Sequence, residues 1–307
     1  MTGAGFSMQT CILSPHGTDI LNEIFAHVTV ADPGASRWPV AQENCTLLMG
    51  VLNVTPNSFS DGGQFAAREK AIIRALEIQR DGADILDIGG ESTHPSAQPI
   101  NAEEELARVI PVLSEIAQRL TIPVSIDTYK AKTAEAALLA GATIVNDIWG
   151  LQHDSAMAAV VAQHGAGLCI MHNRREVDTG IDIVADMLGF FEHSLNIAMK
   201  AGIRDCDIVL DPGIGFGKTF EQNLICLNRL SELRQFGRGI LVGCSRKGFI
   251  GAYSGRSNPA DRLHGTLGAH VAAVMNGARI IRAHDITPHK DALALADAIL
   301  RPKAPPN

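Results

Sequence analysis

From Thr46 onward the chain repeats one unit: a short apolar run rich in Val, Ile and Leu, a polar or glycine-bearing turn, then a stretch with apolar residues at helical spacing. Eight runs fit the pattern: TLLMGVLNV from Thr46, ADILDIGG from Ala83, IPVSIDT from Ile122, TIVNDI from Thr143, GLCIMH from Gly167, CDIVLDP from Cys206, GILVGCS from Gly239 and RIIRAHD from Arg279. Near-continuous apolarity marks parallel strands covered on both faces. Between the runs, AAREKAIIRALEIQRDG, AEEELARVIPVLSEIAQRL, AKTAEAALLAGA and HGTLGAHVAAVMNGA carry helical spacing, and several close on a glycine suited to a left-handed stop. Eight alternations in about 250 residues predict an α/β chain folded as a (β/α)8 barrel. An open doubly wound sheet is the competitor, less favoured because such sheets more often have fewer strands and a recognisable first phosphate turn. The barrel is expected over residues 46–300, as a single domain. Residues 1–45, with LNEIFAHVTV and Arg37-Trp38-Pro39, form an extension expected to plug the barrel bottom, and residues 301–307 a frayed tail.

A barrel concentrates chemistry at the C-terminal ends of its strands, and here those ends are polar. The first run ends in Asn53, the second in Asp87, the third in Asp127, and the fourth in Asn146 and Asp147. The fifth ends in His172, the sixth in Asp211, the seventh in Ser245, Arg246 and Lys247, and the eighth in Arg282, His284 and Asp285. Any one of these has an ordinary reading: a helix cap, a satisfied core histidine, a solvated charge. Closure of the barrel would bring Asp127, Asn146, Asp211 and Lys247 to one rim, where buried charge survives only if paired or occupied by a ligand. Carboxylates and an amide suit a flat heterocycle with an amino-amidine edge, because a carboxylate accepts two parallel N–H bonds from such a fork. Lys247 can donate to a ring carbonyl or nitrogen. Across the mouth, Arg282, His284 and Asn53 offer two donors with potential charge and one neutral oxygen, a set suited to a diphosphate with a hard divalent ion.

The segment LDPGIGFGKT, residues 210–219, imitates a phosphate loop but is out of register. Pro212 stands where a Walker A needs its first glycine, and Lys218 stands where the dinucleotide fingerprint needs its last. The reading preferred for Gly213, Gly215 and Gly217 is that they let backbone approach a ligand held by Asp211. Lys218 and Thr219 are read as structural.

The net charge of -7 leaves no basic stripe for a phosphate backbone, so nucleic acid is not the expected partner. No apolar run approaches the roughly 20 residues that span a bilayer, and no signal-peptide pattern opens the chain. A soluble cytoplasmic protein is expected. Six cysteines without a C-x-x-C pair suit a reducing compartment, with Cys169 and Cys244 acting as small hydrophobes inside apolar runs.

Taken in order, MGVLNVTPNSFSDGG, DIGGEST, SIDT, VNDI, LDPGIGFGK, SRKGFIG and IRAHD resemble the dihydropteroate synthase family over about residues 46–300. The resemblance implies a (β/α)8 barrel, usually dimeric through helices late in the chain, that joins 4-aminobenzoate to 6-hydroxymethyl-7,8-dihydropterin diphosphate and releases diphosphate. Position by position it implies pterin contacts at Asp127, Asn146, Asp211 and Lys247, and diphosphate and Mg2+ contacts at Asn53, Arg282 and His284. Around the aminobenzoate it implies Thr93, Pro95, Phe216 and Ser245.

His94 departs from the family, which usually has arginine there. Histidine lacks arginine's permanent fork, so a weaker diphosphate grip from this loop, and an altered response to sulfonamides, are expected. Asn57 stands where Asp is common, and IMHNRREV departs far enough that no ligand contact is expected there. Two rivals remain: a methyltransferase domain acting on methyltetrahydrofolate and a corrinoid protein, which needs no diphosphate site, and a pterin-binding paralogue without turnover.

Overall fold

The structure, a computed structural model, describes residues 36–39, 45–55, 63–92, 98–300 and 302, the side chains of 63–66 excepted. Eight parallel strands close into a barrel in chain order. They are β1 (Leu47–Asn53), β2 (Ile85–Gly89), β3 (Val124–Asp127), β4 (Ile144–Asp147), β5 (Gly167–Met171), β6 (Ile208–Asp211), β7 (Gly239–Val242) and β8 (Ile280–Ala283). Each lies inside one of the eight apolar runs and stops where its turn begins. Around them run α1 (Gly63–Arg80), α2 (Ala102–Ile116), α3 (Ala131–Leu139), α4 (Met157–His164), α5 (Ile183–Ala201), α6 (Phe220–Asn228), α7 (Gly248–Ser254), α8 (Leu263–Met275) and α9 (Ile286–Leu300). The helices stop for local reasons. Gly165 and Gly202 take left-handed conformations after α4 and α5, while Asn101 caps the start of α2 by accepting from Glu104 N at 2.8 Å.

Side chains alternate across a strand, and this places the chemistry. One inward layer is apolar: Leu47, Met49, Ile85, Ile144, Cys169, Val209, Leu241 and Ile280, joined by Trp38. Two residues further along β2, β4, β5, β6, β7 and β8 stand Asp87, Asn146, Met171, Asp211, Gly243 and Arg282. The period that sends Ile85 or Val209 into the barrel therefore sends Asp87 or Asp211 into its upper half. The pairings Asp127 with Asn146 and Met171 with Asp211 put these residues on neighbouring strands at one height. On the outer faces Leu86, Ile88, Ile126, Leu168 and Ile170 pack against the helices in a continuous core, which is why the strands read as apolar throughout.

Trp38 closes the lower layer. Its Nε1 donates to Asp207 O at 2.8 Å, Arg37 N donates to Asp207 Oδ1 at 2.7 Å, and Arg37 Nε donates to Gly165 O at 2.8 Å. Residues 36–39 thus cross the N-terminal ends of β5 and β6, opposite the polar rim. Residues 1–35 and most of the tail lie outside the described residues. Among the described residues no helix is long and apolar enough to cross a membrane. Cys169, Cys226 and Cys244 are buried free thiols.

Candidate active site

A cavity of about 320 Å³, its open mouth included, lies at the C-terminal ends of the strands. Its polar wall is Asp127, Asn146, Asp211, Lys247 and Arg282; its apolar wall is Ile148, Met171, Ile214 and Phe216, with Gly243 leaving room at the floor. Five residues predicted from strand ends are therefore together, with Phe216. The Lys247 ammonium sits 4.0 Å from the centre of the Phe216 ring, a cation–π contact.

The charges are held by one another. Arg282 donates from Nε to Asp87 Oδ2 at 2.6 Å and from Nη2 to Asp127 Oδ2 at 2.7 Å. Asn146 Nδ2 also donates to Asp87 Oδ2, at 3.1 Å. Asp87 is wholly buried, and it is the residue that the sequence reading left without a role. Burial raises the Asp127 carboxyl to about 7, Arg282 opposing and Asp87 assisting. Burial likewise raises Asp211 to about 6, against the Gly213 N–H bond at 2.7 Å and the Lys247 charge. The Lys247 ammonium is lowered by burial to about 8. Against burial, Asp87 and Asp127 hold the Arg282 guanidinium above its usual range.

Two buried oxygens here, Asn146 Oδ1 and Asp87 Oδ1, have no hydrogen-bond partner. Three carboxylates face two cations, and Asn146 lines the cavity with its acceptor unspent. A wall with surplus acceptors suits a guest that brings N–H donors.

The glycines after Asp211 serve a different purpose from the one expected. Gly213, Gly215 and Gly217 all have positive φ, at 64°, 86° and 56°. A Cβ on Gly213 would overlap the His172 carbonyl, one on Gly215 would stand 2.7 Å from Lys247 Cδ, and one on Gly217 would stand 2.5 Å from Arg174 Cβ. The room is made for the protein's own β5 loop and for Lys247. Lys218 and Thr219 are structural, as read. Lys218 Nζ donates to Gly213 O at 2.9 Å, to Phe216 O at 3.1 Å and to His172 Nδ1 at 2.8 Å. An ammonium only donates, so His172 carries its proton on Nε2, which reaches Asp186 Oδ2 at 3.1 Å. Burial and the Lys218 charge lower His172 to about 3. Thr219 closes a capping box with Gln222 at the start of α6.

On the other side of the mouth, His284 departs from the expectation of a potential cation. Burial, with Arg282 and Arg246 nearby, lowers it to about 4, so it is neutral near pH 7. Ser245 Oγ accepts from His284 N at 3.2 Å and shares a 2.9 Å bond with His284 Nδ1. With Ser245 donating to Nδ1, the imidazole keeps its proton on Nε2 as a neutral donor. Ser245 is thus engaged with His284, and neither is part of the cavity wall described above. Arg246 is no free surface charge; it grips Asp285 through Nε at 3.1 Å and Nη2 at 2.6 Å. Asn53 ends β1 exposed. Thr93, His94, Pro95 and Asn57 lie outside the described residues. Ile148, Met171 and Ile214 carried no polar signal by which the sequence could mark them as cavity lining.

A family model described as pterin binding enzyme matches residues 49–284, and the chain belongs to that family. A dihydropteroate synthase of Bacillus subtilis (strain 168) is 45% identical over 255 residues, covering 83% of this chain and 89% of that protein. The solved dihydropteroate synthase from Clostridium difficile, crystallised in the presence of pteroic acid, superposes with a TM-score of 0.82 at 47% identity, over 84% of this chain and 97% of the other. That of Xanthomonas albilineans with 4-aminobenzoic acid gives a TM-score of 0.81 at 38% identity, over 85% and 95%.

Proposed function

We propose that this chain is a dihydropteroate synthase: it condenses 6-hydroxymethyl-7,8-dihydropterin diphosphate with 4-aminobenzoate to give 7,8-dihydropteroate and diphosphate. The observation that carries the reading is the acceptor-rich wall of Asp127, Asn146 and Asp211, with Asn146 Oδ1 unpartnered and Lys247 lining the same cavity. A pterin presents an amino-amidine edge of N–H donors to such a wall and ring acceptors to a lysine. The relatives named above, with pteroic acid and 4-aminobenzoic acid in their crystals, support the same substrates.

In this reading the C–O bond to diphosphate loosens ahead of attack, the aniline nitrogen then forms the C–N bond to the exocyclic carbon, and the aniline proton leaves to solvent. Positive charge spreads into the dihydropterin during departure, and Asp127 and Asp211 stabilise it. Arg282 and the Nε2–H of His284 hold the departing oxygens. The family resemblance assigns Phe216, Thr93, Pro95 and Ser245 to the aminobenzoate, and histidine at position 94 lacks the permanent fork that arginine would bring to the diphosphate. No covalent nucleophile is needed.

Among the described residues no cluster of three His, Cys, Asp or Glu side chains is arranged to hold a metal. Asn53, exposed at the end of β1, offers one neutral amide oxygen, which suits a hard Mg2+ that takes its other ligands from the substrate's phosphates and water. When bound there, Mg2+ would neutralise charge on the diphosphate. We also assign a homodimer to the face where Phe220 and Leu224 of α6 and Tyr253 of α7 stand exposed. Residence in the cytoplasm accords with the free thiols among the described residues.

The test is diphosphate release from dihydropterin diphosphate, with and without 4-aminobenzoate. Release that depends on the aminobenzoate, with dihydropteroate formed in equal amount, is expected. Pterin binding without release would favour the non-catalytic reading, and methyl transfer to a corrinoid would favour the methyltransferase.

A further inference from the structure

Three links tie the loop after β7 to the loop after β8. Two are the Ser245–His284 bond and the Arg246–Asp285 fork. The third is a buried pair of histidines with no part in the chemistry above. Cys244 N donates to His270 Nε2 at 2.8 Å, His270 Nδ1 meets His289 Nε2 at 2.8 Å, and His289 Nδ1 meets Asp285 O at 2.5 Å. Both rings are fully buried, on α8 and α9, with centres 4.9 Å apart.

The ends of this chain of bonds decide where its protons are. A backbone N–H can only donate and a backbone carbonyl can only accept. His270 must therefore accept at Nε2 and donate from Nδ1, and His289 must do the same to reach the Asp285 carbonyl. Both imidazoles are neutral, both carry the Nδ1 proton, and an extra proton on either would set two donors face to face. Burial, as the leading cause, keeps both rings below the usual histidine range. Cys244 precedes Ser245, and Asp285 follows His284, so the relay spans the two backbone points from which the Ser245–His284 pair is hung. Among the described residues it is the buried counterpart of the more exposed Arg246–Asp285 fork, which solvent screens.

We propose that His270 and His289 are positioning residues for the diphosphate end of the site, a one-directional relay that fixes the spacing of the β7 and β8 loops and so the aim of His284. The proposal rests on the reading of His284 as a diphosphate contact. Its effect is graded: of the pterin contacts, Asp127, Asn146 and Asp211 hang from β3, β4 and β6, which the relay does not touch, and only Lys247 shares the β7 loop. Displacing a contact group by a fraction of an ångström costs on the order of tenfold.

The test compares the parent with His289→Phe, which keeps ring volume and removes both bonds of that residue. The KM for dihydropterin diphosphate is expected to rise on the order of tenfold, while calorimetric affinity for 6-hydroxymethylpterin, which has no diphosphate, stays within about twofold. Equal weakening toward both ligands, or no change toward either, would overturn the positioning role. If the phenylalanine variant does not fold, His289→Gln, which keeps an acceptor toward His270 and gives up the bond to Asp285, carries the same comparison. Nitrogen-15 spectra of the parent at neutral pH should show both rings neutral and protonated at Nδ1; an Nε2–H tautomer or a charged ring would overturn the relay itself. A parent that binds both ligands equally would instead indict the reading of the diphosphate site, and leaves the spectra to judge the relay.

Discussion

Replacing Asp211 by alanine is expected to lower kcat/KM by on the order of a hundredfold or more, the usual cost of losing one preorganised electrostatic partner. Asp211 projects inward at the end of β6, nearly inaccessible to solvent, and lines the cavity. Its Oδ1 accepts the Gly213 N–H at 2.7 Å, so alanine also removes the anchor that starts the Gly213–Gly217 turn. Asp211→Asn separates the two effects, because an amide oxygen can keep the Gly213 bond while the charge that stabilises a cationic ring is lost. The asparagine variant should fold like the parent and remain severely impaired. Activity within threefold of the parent in either variant would contradict the assignment.

Arg282→Ala is expected to damage both activity and stability. For activity the expected loss is again on the order of a hundredfold, through the leaving group. For stability the reason is the double ion pair: Arg282 is the partner of wholly buried Asp87 and of Asp127. Removing one member of a buried pair leaves an uncompensated charge and costs about 3–5 kcal/mol. Thermal unfolding should therefore fall sharply in Arg282→Ala, and should recover in part in the double variant Arg282→Met with Asp87→Asn, where Asp87 no longer carries a charge and only Asp127 has lost its partner. Activity should not recover. An unchanged Tm for Arg282→Ala would show that the pair does not hold in solution. The same geometry implies an exchange during turnover, since Arg282 must loosen from Asp127 for that carboxylate to face a ring and for the guanidinium to face a diphosphate.

The barrel was legible because each buried strand is a run of apolar residues and each run is followed by helical spacing. The polar wall was legible for a related reason. Asp127, Asn146, Asp211 and Arg282 interrupt apolar runs near their ends, and strand closure converts that linear position into a common rim. Asp87 interrupts its run in the same way, but its meaning lies in a partner 195 residues away, and linear order carries no trace of that pairing. The two-residue step from the apolar layer, Ile85 to Asp87 as Val209 to Asp211, is the signal that would have included it. His270 and His289 sit within helical stretches, where a lone buried histidine reads as core. The glycines of residues 213–217 were assigned to a ligand because sequence shows flexibility and not what fills the space; Lys247 and the β5 loop fill it.

The central claim is that ionised Asp127 and Asp211, with Asn146, receive the donor edge of a pterin. Calorimetric titration of 6-hydroxymethylpterin tests it through pH. Burial raises the Asp127 carboxyl to about 7 and the Asp211 carboxyl to about 6. Ring N–H donors bind the ionised form, so acidification must first protonate what the ligand needs, and affinity is lost as pH falls through those values. The account predicts affinity lower by roughly tenfold to a hundredfold at about pH 5.5 than at about pH 7, with protons released on binding near neutrality. Affinity independent of pH across that window, with no proton release, would contradict it.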